Sequence, residues 1–487
     1  MAVVTRRGPD DPVMLSCVSQ LIENGIFFEP GDGQGLLADL PPDLESYRAI
    51  VVDEPAFEAA MRDEASRRRL QAYAAGEGFV LRIKAPQGAG APGDFNAMLM
   101  LDHLTFAQVH DLIMNAGLTR FHPAWRRLQA ARPEAELLAQ LKDRVIHAVT
   151  TLRYWHEFTL YYWYAARRLI EAGHADVRPL LIEAIRENGR EVPQALTIDW
   201  MTGYWGAAWL RDATGEDGPL QRVIANVEEV MARRPRSMGV LTGSGFADDP
   251  FGQNLRAAPH RLEQYYDAAW SSGREIIWTE IMLAHGPTFG ALARVTGDAR
   301  YRDEALRLVE HLARYHQRED GLLWHCTRRG QPAGRLWSRG MTHALFGLMM
   351  LMEELGPRDA ARERIIDVIR RAGRGLKRWQ DEATGLWRNV VDCPAARLET
   401  SGTTLFAQIY ARGIREGWLD RAEFEDMVRR AWAGVKTCIW RGRVAAWCRG
   451  TAGAVDDAYY LARPQGGSSS ATPPHLLATL LEMQRLG

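Results

Sequence analysis

The segment Ile276-Ile277-Trp278-Thr279-Glu280 places one acidic side chain two positions after a tryptophan in an apolar stretch. Ionised carboxylates are costly to bury, so a carboxylate in such surroundings has either a hydrogen-bond partner or a chemical task. The task open to it is proton transfer, because a carboxyl group can donate a proton and later accept one. Glu280 is therefore the first candidate catalytic residue. The structural alternative is a helix residue paired with Arg274 or another surface cation.

The elements that must position Glu280 are helical. From about residue 133 onwards, apolar residues recur at three- and four-residue steps, which is typical of amphipathic helices. The predicted helices are Thr150 to Ala172, Val177 to Glu187, Thr197 to Thr214, Pro219 to Arg233, Ile276 to Thr296, Tyr301 to His316, Gly340 to Glu354, Arg362 to Gln380, Thr400 to Glu416, Arg421 to Lys436 and Pro474 to Arg485. Hairpins of such helices cannot bury their apolar faces alone, so about six stacked pairs predict an (α/α)6 barrel.

The first part of the chain has a different pattern. A strand at Tyr47 to Asp53, a helix at Phe57 to Ala75 and a strand at Gly78 to Ile83 form a predicted βαβ unit. This order resembles flavodoxin-like or truncated amidotransferase-like domains. We predict a small α/β domain over residues 1–94, a linker and connecting helix over 95–132, and the all-α barrel over 133–487. We expect the small domain to support packing or the association of copies of the chain.

The composition limits the classes of partner that the protein is expected to bind. The chain has 60 basic and 61 acidic residues, so neither a nucleic acid nor a membrane is expected to bind through net charge. An acidic ligand must instead meet local arginines. The five cysteines show no metal-ligand spacing, which predicts reduced thiols and no metal or cofactor. The polar N-terminus lacks a signal-type apolar core, and a cytoplasmic location is expected.

The loops between the predicted helices carry a series of motifs. They are Gly321-Leu322-Leu323-Trp324-His325, Trp337-Ser338-Arg339-Gly340, the segments 385–392, 398–407 and 412–414, and then Gly450-Thr451, Tyr459-Tyr460, Arg463-Pro464 and His475. The order of these motifs and the residues in them resemble those of the unsaturated glucuronyl and rhamnogalacturonyl hydrolases, glycoside hydrolase families 88 and 105, over about residues 195–487. Several motifs in the right order are more specific than any one of them.

The resemblance implies a reaction. Enzymes of these families release the 4,5-unsaturated uronic acid that polysaccharide lyases leave at a non-reducing end. An acid protonates the vinyl ether double bond, water adds, and the hemiketal collapses to release the next sugar. The reaction needs a carboxyl group that serves as donor and then as base, a second acid, and cations for the uronate carboxylate.

The resemblance also assigns roles. The general acid/base of the family falls on Glu280, and the second acid falls on Asp199. The histidine that follows Gly-Leu-aromatic falls on His325, and the arginine for the substrate carboxylate falls on Arg339. An acidic oligosaccharide is the partner that these roles imply.

Each role has a structural alternative. Asp199 could cap the helix that follows it, and Arg339 could pair with Glu399. The tryptophans of the region, Trp200, Trp278 and Trp337, could belong to the core or could bind sugar rings. The segment Glu399-Thr400-Ser401 reads as a helix start that Ser or Thr caps.

Two departures from the family pattern affect the predicted function. Glu280 stands where the family has Asp, which moves the carboxyl group by roughly 1 Å, and a shift of that size can be costly in rate. His343 replaces an aromatic residue of the family, so an imidazole is expected in the substrate pocket. Two alternatives therefore stay open beside the unsaturated uronyl hydrolase. One is an exo-acting hydrolase of a saturated uronic acid, and the other is a barrel that binds carbohydrate without catalysis.

Overall fold

The computed structural model describes residues 2–4, 39–40, 44, 49–75, 79–83, 134–151, 157–192, 201–242, 276–440, 443–444, 446–448, 460–461 and 472–487. The chain forms two compact units. One comprises Met1–Pro133, Lys436–Trp447 and Pro464–Gly467, and the other comprises Glu134–Val435, Cys448–Arg463 and Ser468–Gly487. The predicted domain limits stay a prediction, and the predicted connecting segment 95–132 lies outside the described residues.

The first unit contains a parallel sheet of three strands in the order β1 (Ala2–Val4), β2 (Ala49–Asp53) and β3 (Phe79–Ile83). Helices α1 (Glu54–Arg62) and α2 (Glu64–Ala75) connect β2 to β3, so the predicted βαβ unit is confirmed. The prediction of one continuous helix was wrong. The backbone leaves the helical conformation at Asp63, whose carboxylate accepts the Ser66 N–H at 2.8 Å and so caps the second helix.

The second unit is built from helical hairpins. Its helices are α3 (Glu134–Thr151), α4 (Glu157–Glu171), α5 (Val177–Asn188), α6 (Trp205–Thr214), α7 (Gly218–Arg233), α8 (Glu280–Thr296), α9 (Ala299–His311), α10 (Ser338–Glu354), α11 (Ala361–Trp379), α12 (Ser401–Arg415), α13 (Arg421–Thr437) and α14 (Thr472–Leu486). A 3-10 turn, Thr202–Tyr204, precedes α6, and a π-helical turn, Leu312–His316, extends α9.

The even-numbered helices from α4 to α14 form a closed inner ring. Each contacts the next, and α14 contacts α4. The odd-numbered helices from α3 to α13 form the outer layer. The predicted (α/α)6 barrel is therefore confirmed. Gly215 and Gly297 end α6 and α8 with φ of 82° and 72°, a left-handed conformation that glycine adopts without steric cost.

Short antiparallel strands connect the hairpins. The pairs are β4 (Arg236–Ser237) with β5 (Val240–Leu241), β6 (Ile276–Trp278) with β7 (Cys326–Arg328), β7 with β8 (Gln331–Ala333), and β9 (Trp387–Arg388) with β10 (Leu398–Glu399). In the first unit, β11 (Ile439–Trp440) pairs with β12 (Arg443–Val444).

The prediction of a helix over Ile276 to Thr296 was wrong at its start, because Ile276–Trp278 is a strand and the helix begins at Glu280. The β-branched pair Ile276-Ile277 suits the strand, and its partner β7 lies 50 residues further along the chain.

The inner helices run parallel, because an outer helix returns the chain between consecutive inner ones. Their N-termini therefore lie at one end of the barrel. Helix N-termini carry partial positive charge and favour anions, so this end suits carboxylates. None of the helices in the described part of the chain has the length and apolar character that crossing a bilayer requires.

Candidate active site

The pairing of β6 with β7 places the candidate acid. Trp278 lies opposite Cys326, and the Thr279 N–H donates to the His325 carbonyl at 3.0 Å. Since α8 begins immediately after Thr279, its first residue, Glu280, lies beside His325. The strand pair, and not the helix alone, therefore fixes the carboxyl group relative to the imidazole.

Three side chains surround the Glu280 carboxylate. His325 Nε2 lies 2.8 Å from Oε1, and the Thr279 hydroxyl donates to Oε2 at 3.1 Å. His343, from the first turns of α10, places Nδ1 3.8 Å from Oε1, which is beyond hydrogen-bond distance. The His325 side chain is fully buried and that of Glu280 is 14% exposed, so one carboxylate reaches the barrel end between two imidazoles.

This environment keeps Glu280 ionised. Burial alone would raise its pKa, but the charge of His325 and its hydrogen bond, together with His343, outweigh burial and hold the pKa well below its usual range. The resting carboxyl group is therefore a base, and the His325 imidazole is the group in direct contact with it.

The other ring nitrogen of His325 also has a partner. Its Nδ1 lies 2.6 Å from the hydroxyl of Tyr460. The Tyr460 residue is fully buried. Asn389 donates its side-chain N–H to the Tyr460 carbonyl at 2.8 Å, and its side-chain oxygen accepts from the Cys448 thiol at 2.8 Å. The sequence marked Tyr460 only as part of a motif, because its contact with His325 spans 135 positions.

Trp337 and Arg339 lie against the two histidines. The Trp337 ring centroid is 4.8 Å from that of His325 and 6.2 Å from that of His343. The Arg339 guanidinium lies 5.0 Å from the same indole and donates to the Cys448 carbonyl. Arg339 is partly exposed, which leaves it accessible to an anionic ligand.

Gly340 allows this close approach. A Cβ at this position would lie 2.8 Å from His325 Cδ2, 2.7 Å from the Trp337 ring and 3.1 Å from the Thr279 hydroxyl. The Trp337-Ser338-Arg339-Gly340 motif thus has a packing requirement as well as a candidate ligand.

Two buried nitrogen atoms of the site have no hydrogen-bond partner among the described residues. They are His343 Nδ1 and Trp337 Nε1. Buried polar groups are nearly always satisfied, so such exceptions next to an ionised carboxylate are typical of sites that bind a polar ligand.

Glu399 ties two inner helices together at this end. Its fully buried carboxylate accepts the Ser401 and Gly402 N–H groups of α12 at 2.6 and 2.8 Å, and the Ser338 hydroxyl of α10 at 2.6 Å. The prediction that Ser or Thr caps this helix was wrong, since Thr400 makes no side-chain capping bond and Glu399 supplies the cap. Glu399 is a structural acid.

Two further histidines lie behind His325. His311 Nε2 and His316 Nε2 both lie 3.2 Å from the Thr327 hydroxyl. Burial lowers the pKa of His311 to about 4 and that of His316 to about 3. Both rings are therefore neutral at physiological pH.

The structure brings most of the predicted site together. Glu280, His325, Trp337 and His343 form one cluster, and the half-buried Trp278 lies with its ring centroid 6.4 Å from that of His325. Asp199 and Trp200 lie outside the described residues. The catalytic and binding roles of these residues stay predictions. Within the described ranges, no cluster of His, Cys, Asp and Glu side chains could hold a metal ion, and no disulfide joins any two of the described cysteines.

Residues 262–486 match the model of Glycosyl Hydrolase Family 88. The resemblance that the motifs predicted is therefore confirmed over this part of the chain, which includes every described residue of the cluster. The chain is 26% identical over 195 residues to an unsaturated 3S-rhamnoglycuronyl hydrolase of Formosa agariphila. That match covers 36% of this chain and only about half, 51%, of the relative.

Solved structures agree on the fold. A possible GH105-family member from Salmonella enterica serovar Paratyphi A superposes with a TM-score of 0.60 at 19% identity, covering 73% of this chain and 95% of that one. The unsaturated glucuronyl hydrolase of Bacillus sp. GL1 superposes with a TM-score of 0.51 at 14% identity, covering 73% and 96%. At these identities the likeness concerns the barrel itself.

Proposed function

We propose that this protein is a glycoside hydrolase that releases a 4,5-unsaturated uronic acid from the non-reducing end of lyase-generated oligosaccharides. The observation that carries the proposal is the Glu280–His325 pair, 2.8 Å apart, at the position where the family resemblance expects the acid/base. The name of the Formosa agariphila relative, an unsaturated rhamnoglycuronyl hydrolase, supports the same substrate class.

The pair can supply both proton steps. Glu280 delivers the proton of the pair to C4 of the vinyl ether, and the ring oxygen stabilises the positive charge that develops at C5. Water then adds at C5 and returns a proton to Glu280, which restores the pair. The hemiketal formed in this way opens and releases the next sugar, and no net proton is consumed.

The surroundings of the pair fit an acidic sugar. Arg339 is the partly exposed cation for the uronate carboxylate, in the role predicted from the sequence. The unpartnered His343 Nδ1 and Trp337 Nε1 can donate to sugar oxygens or to the attacking water. Trp278, half-buried beside His325, offers an aromatic face for the ring.

One observation favours a second candidate, the exo-acting hydrolysis of a saturated uronic acid. The pKa of Glu280 is held well below its usual range by His325 and His343 against the opposing effect of burial, and a nucleophile or general base must be ionised before the reaction starts. On a saturated substrate Glu280 would take one of those roles, and Asp199 would be its partner acid.

The two candidates give different signals. The unsaturated ring absorbs in the near ultraviolet and loses this absorbance on hydration, so incubation with lyase-generated oligosaccharides should bleach the signal. A constant absorbance together with release of the chromophore from an aryl glucuronide would replace the first candidate by the second. Inactivity on both substrates with retained sugar binding would leave a carbohydrate-binding barrel.

A further inference from the structure

Tyr460 contacts His325 and so adds a third residue to the Glu280–His325 pair. The Tyr460 hydroxyl lies 2.6 Å from His325 Nδ1, and His325 Nε2 lies 2.8 Å from Glu280 Oε1. Tyr460 and His325 are fully buried, so neither ring nitrogen can exchange its partner for bulk water. Asn389 donates to the Tyr460 backbone carbonyl at 2.8 Å and so holds the backbone from which the phenol extends.

We propose that Tyr460 is a positioning residue whose hydroxyl accepts the Nδ1–H of a protonated His325, so that Nε2–H faces Glu280 and the pair stores one transferable proton. The proposal rests on the proposed function for its consequence in catalysis. A phenol can donate to a neutral imidazole or accept from an imidazolium. The bond to the charged form is the stronger of the two, so the phenol raises the proton affinity of the pair.

The other charged and titratable groups near the pair do not replace this effect. In the described part of the chain they are His343 and Arg339 on α10, His316 behind the strand β7, His475 on α14 and Tyr161 on α4. Burial lowers the pKa of His475 well below its usual range and that of His316 to about 3, so both rings are neutral near pH 7. His343 faces Glu280 Oε1 at 3.8 Å and does not contact His325 Nδ1. Arg339 is positively charged, which opposes protonation of His325. Tyr460 is the group among them that contacts Nδ1.

The test compares Tyr460→Phe with Tyr410→Phe. Tyr410 is a matched control, since it is also fully buried and its hydroxyl makes one 2.8 Å bond, to the Ile369 carbonyl between α12 and α11. The pH dependence of kcat on the unsaturated substrate is measured for each variant. We expect the alkaline limb of Tyr460→Phe to move to lower pH by about one unit, because a charge-assisted bond is lost from the protonated pair. The alkaline limb of the kcat profile of Tyr410→Phe should lie at the same pH as in the wild type. Equal limbs in wild type and Tyr460→Phe would overturn the proposal.

A second measurement needs no turnover. Nitrogen-15 NMR of the unliganded wild-type protein, with the His325 signals assigned by difference from His325→Gln, reports whether each ring nitrogen carries a proton. Two protonated nitrogens near pH 7 are expected, and a bare Nδ1 would overturn the proposal even if Tyr460→Phe fails to fold. Inactivity on every substrate would reject the proposed function and leave this NMR result standing, so the two failures are distinguishable.

Discussion

At the end of the barrel where the inner helices stop, arginines hold the buried acids, whereas histidines hold Glu280 at the end where these helices begin. Glu482 is fully buried and accepts from Arg412 at 3.0 Å and from Arg415 at 2.9 Å. Glu353 meets Arg167, Arg168 and Arg412 at 3.0–3.3 Å. The two ends therefore satisfy carboxylates with different bases.

The difference separates structure from chemistry. Arginine keeps its proton at any physiological pH, so an arginine–carboxylate network can hold helices together but cannot deliver a proton. Histidine gains and loses a proton near neutral pH. The arginines lie where the inner helices end and interact favourably with the negative ends of the helix dipoles. Glu280 lies where these helices begin and interacts favourably with the positive ends.

The largest effect on stability is expected at the arginine end. Glu482→Gln removes the charge that Arg412 and Arg415 share, and loss of one partner from a buried ion pair costs about 3–5 kcal/mol in the free energy of unfolding. Urea unfolding measures this value. Asp426→Asn is the control, since Asp426 pairs with Arg430 on α13 while its side chain is 83% exposed, and no measurable loss is expected there. Equal stability of the two variants would contradict the structural role of the network.

An effect of intermediate size, on substrate binding, is expected when Arg339 of the candidate site is replaced. Arg339→Ala should raise KM for an acidic oligosaccharide by about tenfold to a hundredfold with little change in kcat, because it removes a ground-state contact with the substrate carboxylate. Steady-state kinetics separate the two constants. Arg328→Ala, at an exposed arginine of the neighbouring strand β7, should leave both unchanged. A loss confined to kcat would remove Arg339 from the carboxylate role.

The effect that is smallest per pH unit is the pH sensitivity that the buried histidines add to the stability. Their folded pKa values, about 4 for His311 and about 3 for His316, lie below the value near 6.5 of an unfolded chain. Between about pH 6.5 and 4 the unfolded chain binds more protons, so stability falls with decreasing pH, by up to about 1.4 kcal/mol per pH unit for each histidine. Unfolding free energies at several pH values should give a shallower slope for His316→Asn than for the control His147→Asn, at an exposed position. Identical slopes would count against the neutral assignment.

Local patterns predicted the helices well, whereas long-range partners escaped sequence reasoning. The periodicity of α10 or α12 is visible within one segment, and so the barrel could be predicted. The strand Ile276–Trp278 could not, because its pairing with Cys326–Arg328 decides its conformation. Glu399 was assigned to a structural segment, but its bond to the Ser338 hydroxyl crosses 61 positions.

The candidate site followed from motif order and not from geometry. Glu280 and His325 could be named because each sits in a motif, but nothing in the sequence states that they lie 2.8 Å apart. Tyr460 was missed as a site residue for the same reason, since the fold alone brings its hydroxyl to His325.

The measurement that tests the account most directly is the turnover of Glu280→Gln on lyase-generated oligosaccharides, followed by near-ultraviolet absorbance, with thermal unfolding measured on the same sample. The amide keeps the shape of the side chain and can accept from His325, but it cannot donate and accept the proton of the reaction. We predict that turnover falls by about 100- to 10,000-fold while the unfolding midpoint is retained. Activity close to that of the wild type, in a folded protein, would contradict the assignment of Glu280 as the acid/base.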